Sequence, residues 1–348
     1  MRYKSAKMNI VIRTDVSSRI GTGHLRRCIA LGSRLSKLGG TIHFLARGDR
    51  PDWSVEAGRF AEAYVELKSR LRGREDAAHT AAYCRRVAAD RVIVDHLHAD
   101  EAYQRVLLDA GLRWMQFDGA AATPMWADWV VSMSPATDAK IYRALRRRPR
   151  SRLLLGPRYA VVRDEFRRLR SPRHIGSPVR RLLMTFGGGD DRGATLFCLG
   201  HLPGAGTLDV TILASSYGRQ TGPIRRWLRS HPAVCATLLV DHHHVAERMA
   251  EADVAITAGG TTTFEAAMLG LPSLVIQIAG NQRGNAEAWA RMGVAVNLGP
   301  LANLKGGALR RELAGLSVDH ARRRKMARAG QRAVDGRGVE RLAEELFA

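Results

Sequence analysis

Acidic residues are scarce in this sequence. Its 348 residues hold 33 Asp and Glu against 55 Lys and Arg, a formal net charge of +22. Such an excess suits nucleic acid, an anionic membrane surface or an anionic substrate, and it equally suits arginine spread over solvated faces. The basic residues are dispersed, with runs at Arg146–Arg148 and Arg322–Lys325, and they rarely alternate with aromatics, which make up only 6% of the chain. That pattern argues against a stacking platform for single-stranded nucleic acid, so no nucleic-acid partner is expected. Cysteine is also rare: the four, at 28, 84, 198 and 235, form no CxxC pair. A zinc ribbon or a dithiol redox motif is excluded by that spacing, and all four read as buried structural thiols. No apolar run approaches the ~18 residues of a membrane-spanning helix, and the first residues lack the apolar stretch of a signal peptide. A cytoplasmic protein with no stable membrane insertion is expected. There is no internal repeat and no low-complexity tract.

What is present is a regular alternation. Short apolar runs read as strands at Asn9–Arg13, Ile42–Leu45, Val92–Val94, Trp114–Phe117 and Val130–Ser132. Helical periodicity lies between them, as in Leu25–Leu38. Residues 1–7 read as an extension ahead of the first strand. A segment with two prolines, a glycine and two serines, Ser171–Pro178, marks a linker. Beyond it the pattern restarts with strands at Arg181–Phe186, Val210–Ala214, Ala236–Val240, Val254–Thr257, Ser273–Ile276 and Ala295–Leu298. Alternation of this kind predicts α/β architecture with parallel sheets covered on both faces. The expected division is an N-terminal doubly wound domain over 8–170, a linker over 171–180, a C-terminal one over 181–334 and a terminal helix over 335–348. Two such domains leave a cleft at the carboxyl ends of their strands, where open α/β sheets bind ligands.

Three glycine loops follow strands. The first contains Asp15, Gly21 and Gly23 and ends at His24, where a helix begins. Glycines there allow close backbone approach, and the free amides of a helix start favour an anion. His24 reads either as a general base, with Asp15 orienting its imidazole, or as a helix-start packing residue. The second loop carries Gly187 and Gly188 before Asp190 and Asp191. It fits an anion-binding nest but has neither dinucleotide nor P-loop spacing, and the aspartates read as a helix cap rather than a metal site. The third, Gly259-Gly260-Thr261-Thr262, presents amides and hydroxyls suited to a diphosphate. Glu265, about one turn further on, suits two ribose hydroxyls. Asn281 and Gln282 end the next strand's loop. His96 and His98 follow the Val92–Val94 strand and His242–His244 follow Val240. Neither group has metal-ligand spacing, so ligand contact is the expected role, and no metal or cofactor is expected.

The stretch Ile12–Asp15 through Gly21-Thr-Gly-His24-Leu-Arg-Arg27, with Val94–His96, Phe117-Asp118, Gly156–Ala160, Arg163–Phe166, Phe186–Gly189, Asp241-His242, Thr257–Pro272 and Asn281-Gln282, resembles the UDP-2,4-diacetamido-2,4,6-trideoxy-β-L-altropyranose hydrolases of pseudaminic acid biosynthesis, relatives of the MurG-type glycosyltransferases. It spans roughly residues 9–300, and its second-half motifs are common to many UDP-sugar glycosyltransferases. The resemblance implies a GT-B fold of two Rossmann-like domains and metal-independent release of UDP from a UDP-linked diacetamido trideoxy sugar, the sugar destined for flagellin or a surface glycan. It implies His24 as base for the water that attacks the anomeric carbon with inversion. It also implies Arg27, Gly260–Thr262 and Glu265 as contacts to substrate or UDP, and a monomer as the working unit. Leu97 stands where that family carries a tyrosine facing the sugar, with His98 one residue on. The competing expectations are a GT-B glycosyltransferase using an acceptor other than water, and a non-enzymatic binder of anionic surfaces. The second rests on charge alone and leaves the glycine loops unexplained.

Overall fold

A computed structural model describes residues 8–16, 22–48, 53–67, 71–176, 178–202, 208–216 and 218–348. The expected extension over residues 1–7, and Gly21, lie outside the described residues. The described residues divide into two compact units: one takes those up to Arg163 together with Arg337–Ala348, the other those of Asp164–Gly336.

The described strands of the first unit are β1 (Met8–Asp15), β2 (Gly40–Arg47), β3 (Ala63–Glu66), β4 (Arg91–Asp95), β5 (Trp114–Phe117), β6 (Trp129–Ser132) and β7 (Arg152–Leu155). They form one parallel sheet in the order β3-β2-β1-β4-β5-β6-β7. Ile10, Val11 and Ile12 are fully buried, as both faces of a strand must be when helices cover the whole sheet. Its helices are α1 (Gly23–Lys37), α2 (Trp53–Gly58), α3 (Gly73–Arg86), α4 (Glu101–Asp109) and α5 (Ala139–Leu145). Helix α1 buries Leu25, Cys28, Ile29, Leu31, Gly32 and Leu35, a stripe at i, i+3, i+4 and i+7. At Gly32 a methyl group would lie 3.1 Å from Ile12 and Phe60 and 3.3 Å from Phe44. The absence of a side chain there lets α1 lie close on the sheet.

The second unit holds α6 (Asp164–Arg168), β8 (Arg181–Thr185), α7 (Ala194–Leu199), β9 (Asp209–Ala214), α8 (Thr221–Ser230), β10 (Ala236–Val240), α9 (Val245–Glu251), β11 (Val254–Ala258), α10 (Thr262–Leu269), β12 (Ser273–Gln277), α11 (Arg283–Arg291), β13 (Ala295–Pro300), α12 (Gly306–Val318) and α13 (His320–Ala333). Its parallel sheet runs β10-β9-β8-β11-β12-β13, over a core that includes Leu182, Met184, Ile212, Ile256, Leu274 and Ile276.

The units part at Arg163/Asp164, ahead of the proline-rich segment expected as the linker, because Asp164–Arg168 is helical and belongs with the second unit. The last helix, α14 (Gly338–Phe347), returns to the first unit, where Glu340 faces Arg34 at 4.0 Å and Glu345 pairs with Arg152 at 2.7 Å. Of the cysteines, Cys28, Cys84 and Cys198 are buried, whereas Cys235 is exposed. Cys235 lies in the turn ahead of β10, an edge strand, which corrects the expectation of four buried thiols. Among the described residues no helix is long and apolar enough to cross a membrane.

Candidate functional site

Each sheet has one place where the strand order reverses, and connections leave on opposite sides of it. In the first sheet that place lies between β1 and β4. Thr14 at the end of β1 is in register with Asp95 at the end of β4. His24 is the second residue of the helix that follows β1. Its Nδ1 lies 2.7 Å from Asp95 Oδ1. Arg27 Nη2 lies 3.0 Å from the same nitrogen. An ionised carboxylate only accepts, so the contact with Asp95 favours the proton on Nδ1, the tautomer in which a neutral ring presents its Nε2 lone pair. Asp95 is held in turn by Arg27, one helical turn along α1: Arg27 Nε donates to Oδ2 at 2.5 Å and Nη2 donates to Oδ1. Cys28 Sγ donates to Oδ2 at 3.4 Å. Burial alone would raise the Asp95 carboxyl, but Arg27 and then His24 outweigh it and hold it well below the usual carboxylate range. The imidazole remains accessible, its side chain 22% exposed against 1% for Asp95. The result is an open imidazole backed by a buried carboxylate whose charge is already met by a guanidinium.

Asp15 does not orient His24, contrary to the sequence expectation. Side chains alternate across a strand, so Arg13 and Asp15 share the face of β1 opposite Thr14. On that face Arg13 donates to Asp15 at 2.5 Å and to both oxygens of Asp76 at 2.8 and 2.5 Å. Arg47 donates to the other Asp15 oxygen. His96 belongs to this network and not to His24: it packs edge-on against Tyr103, ring centroids 4.8 Å apart, and accepts from the His98 amide at 3.2 Å. Its Nε2 is buried without a protein hydrogen-bond partner among the described residues. Burial, reinforced by Arg13, pushes its pKa down to about 3, so His96 is a neutral, buried ring. Arg27, expected as a substrate contact, spends two of its three nitrogens on Asp95. The residue missed from the sequence was Asp95 as the partner of His24.

In the second sheet the order reverses between β8 and β11, and the structure brings two of the predicted glycine loops together there. A methyl group on Gly187, whose φ is +89°, would lie 3.9 Å from Thr262 Oγ1. Gly188 follows in the same loop. Asp191 closes that loop by accepting from the amides of Gly193 at 2.9 Å and Thr195 at 3.2 Å; the N-cap position of α7 is held by Gly193 and not by either aspartate expected to cap it. In the other loop, Gly259 N donates to Gln282 Oε1 at 3.3 Å, and the same oxygen accepts from Ile278 N at 3.0 Å. Gln282, expected to touch ligand, uses its side-chain oxygen to brace the turn, while its Nε2 lies beside Gly260. Among the described residues the amides of Gly260, Thr261 and Thr262 have no protein acceptor. They form a short row of donors at the start of α10, the arrangement that binds phosphate. Glu265 is half-buried in the first turn of α10, and Asn281 is exposed in the turn after β12. His242 sits at the end of β10, two strands away from β8. Among the described residues no group of three or more His, Cys, Asp or Glu is arranged to hold a metal ion.

No family model matches the chain. It is similar to spore coat polysaccharide biosynthesis protein SpsG of Bacillus subtilis, 24% identical over 195 residues, 55% of this chain and 57% of that protein. It is similar to the uncharacterized protein MJ1062 of Methanocaldococcus jannaschii, 23% identical over 276 residues, 77% of this chain and 55% of that one. The chain therefore spans little more than half the length of these two relatives. It is also similar to UDP-2,4-diacetamido-2,4,6-trideoxy-β-L-altropyranose hydrolase of Campylobacter jejuni, 22% identical over 293 residues, 83% of this chain and 98% of that enzyme. Among solved structures, MurG of Acinetobacter baumannii superposes with a TM-score of 0.66 at 15% identity, covering 98% of this chain and 99% of MurG. UDP-GlcNAc 2-epimerase of Neisseria meningitidis gives 0.68 at 12% identity, covering 98% and 100%. The fold is GT-B, built of two Rossmann-like domains.

Proposed function

We propose that this chain is a UDP-sugar-processing enzyme that hydrolyses a UDP-linked 2,4-diacetamido-2,4,6-trideoxy sugar to UDP and the free sugar. The observation that carries the reading is the accessible His24 imidazole, its Nδ1 2.7 Å from Asp95 Oδ1. The similarity to the Campylobacter jejuni hydrolase over 98% of that enzyme's length supports the substrate class.

In this reading His24 Nε2 takes a proton from water as the water oxygen bonds to the anomeric carbon. The bond from that carbon to the diphosphate oxygen breaks, its electron pair leaves with UDP, and the configuration inverts. Asp95 fixes the tautomer and steadies the imidazolium that forms, while Arg27 keeps Asp95 ionised and in place. The second unit holds the nucleotide. The amides of Gly260, Thr261 and Thr262 meet the charge growing on the departing diphosphate, which needs no metal in this account. The loop of Gly187 and Gly188 lines the same turn, and Glu265 takes the ribose hydroxyls.

The test is UDP release by purified protein from the UDP-linked diacetamido sugar in buffer containing a chelator and no acceptor. Steady release of one UDP per free sugar is expected. Release that depends strictly on an added acceptor would overturn hydrolysis and make the protein a glycosyltransferase.

A further inference from the structure

Beneath the row of free amides in the second unit runs a hydrogen-bond chain that ends on a tryptophan. Trp289, on α11, is fully buried. A buried indole N–H needs an acceptor, and here it donates to Thr263 Oγ1 at 2.9 Å. Thr263, on α10 and 4% exposed, donates from the same oxygen to the carbonyl of Gly260 at 2.7 Å. The Thr263 amide also donates to that carbonyl, at 3.2 Å. Phe264 closes over the indole edge-on, ring centroids 5.3 Å apart. The void that Thr263 and Trp289 border holds about 10 Å³, at the lower limit for one water.

The geometry points to Trp289 and Thr263 as positioning residues for a bound diphosphate, an inference that rests on the UDP reading above. A hydroxyl has one proton to give. With the indole N–H seated on one lone pair of Thr263 Oγ1, that proton is directed to the Gly260 carbonyl, and bonds linked in series strengthen one another. The peptide between Gly260 and Thr261 is planar and trans, so its carbonyl and its N–H point in opposite directions. Holding the Gly260 carbonyl inward therefore aims the Thr261 amide outward, where the diphosphate would lie. The neighbouring residue is fixed independently: Gly259 donates to Gln282, and its carbonyl accepts from Asn285 Nδ2 at 3.4 Å. Neither Trp289 nor Thr263 touches the ligand. They act through the orientation of one peptide plane.

The test is UDP affinity by titration calorimetry on the full-length protein, with melting temperature and steady-state kinetics measured in parallel. Thr263→Val keeps the shape and removes both hydrogen bonds, and its Kd for UDP should rise about tenfold. Trp289→Phe keeps a ring and removes the donor, and should raise Kd about threefold. Thr263→Ser restores the hydroxyl and should bind within twofold of the parent protein. In turnover, KM for the UDP-sugar should rise in the first two variants while kcat stays within twofold. A purely structural role would lower the melting temperature and leave Kd unchanged. Parent-like Kd in Thr263→Val, or in Trp289→Phe should the valine variant not fold, overturns the relay and leaves the UDP reading intact. A parent protein that does not bind UDP overturns the UDP reading, and the relay's role falls with it.

Discussion

The two sheets share one topology at the point where their strand order reverses, and they furnish it with opposite chemistry. In the first unit the reversal between β1 and β4 is occupied by ionisable side chains: His24 on Asp95, and Asp95 on Arg27. In the second, the reversal between β8 and β11 is occupied by backbone, with glycines and threonines whose amides have no backbone acceptor among the described residues. Side chains with a fixed tautomer move protons. Rows of amides hold phosphate without titrating. The proposed hydrolysis needs both, and the difference means that the two halves should fail in different ways when altered.

The largest effect should come from the first unit. His24→Ala is expected to lower kcat about a thousandfold, within the range of general base catalysis, with UDP affinity within twofold of the parent. Parent-like kcat would remove His24 from the chemistry. Asp95→Asn should lower kcat about a hundredfold. It should also cost about 3 kcal/mol in denaturant unfolding, because Arg27 is left without its carboxylate. Asp15→Asn is the control, and the loss of kcat should be far greater for Asp95→Asn if the pairing described here governs His24.

In the second unit the damage should fall on binding. A methyl group on Gly259 would lie 3.0 Å from Gln282 Cβ and 3.1 Å from the Gln282 backbone oxygen, and a backbone atom cannot swing aside. Gly259→Ala should therefore raise KM about tenfold with kcat nearly unchanged. A fall in kcat with constant KM would erase the contrast between the halves.

The smallest expected effect concerns stability. His96 has a folded pKa of about 3, below its ordinary 6.5. As pH falls, the unfolded chain takes up this proton first, so the folded state loses stability below about pH 6.5 and continues to lose it toward pH 3. Between pH 7 and pH 5 this single group should account for about 2 kcal/mol of lost stability. Urea unfolding of His96→Gln at both pH values should show that loss reduced by the same amount. An unchanged loss would mean that His96 is not held neutral.

Much of this arrangement was legible in the sequence. The central strands of both sheets are continuous apolar runs because helices cover both their faces. The two described strands that escaped notice, β3 and β7, are the edges of the first sheet. Ala63–Glu66 has no fully buried residue and Arg152–Leu155 has one, so neither presents a clear apolar run. The glycine turns were legible because few other residues fit where a chain bends so sharply. The partner of His24 was not. Asp15 is nearer in sequence, but strand alternation turns it to the opposite face, whereas Asp95 is 71 residues away and meets His24 only because β4 lies beside β1. Sheet order, which periodicity does not encode, decided between the two carboxylates.

The central claim is that water, activated at His24, attacks the anomeric carbon. Turnover of the UDP-linked diacetamido sugar in heavy-oxygen water tests it most directly, with mass spectrometry of both products. The account predicts the label in the anomeric hydroxyl of the sugar and none in UDP. Label in the terminal phosphate of UDP would place the attack at phosphorus and contradict it.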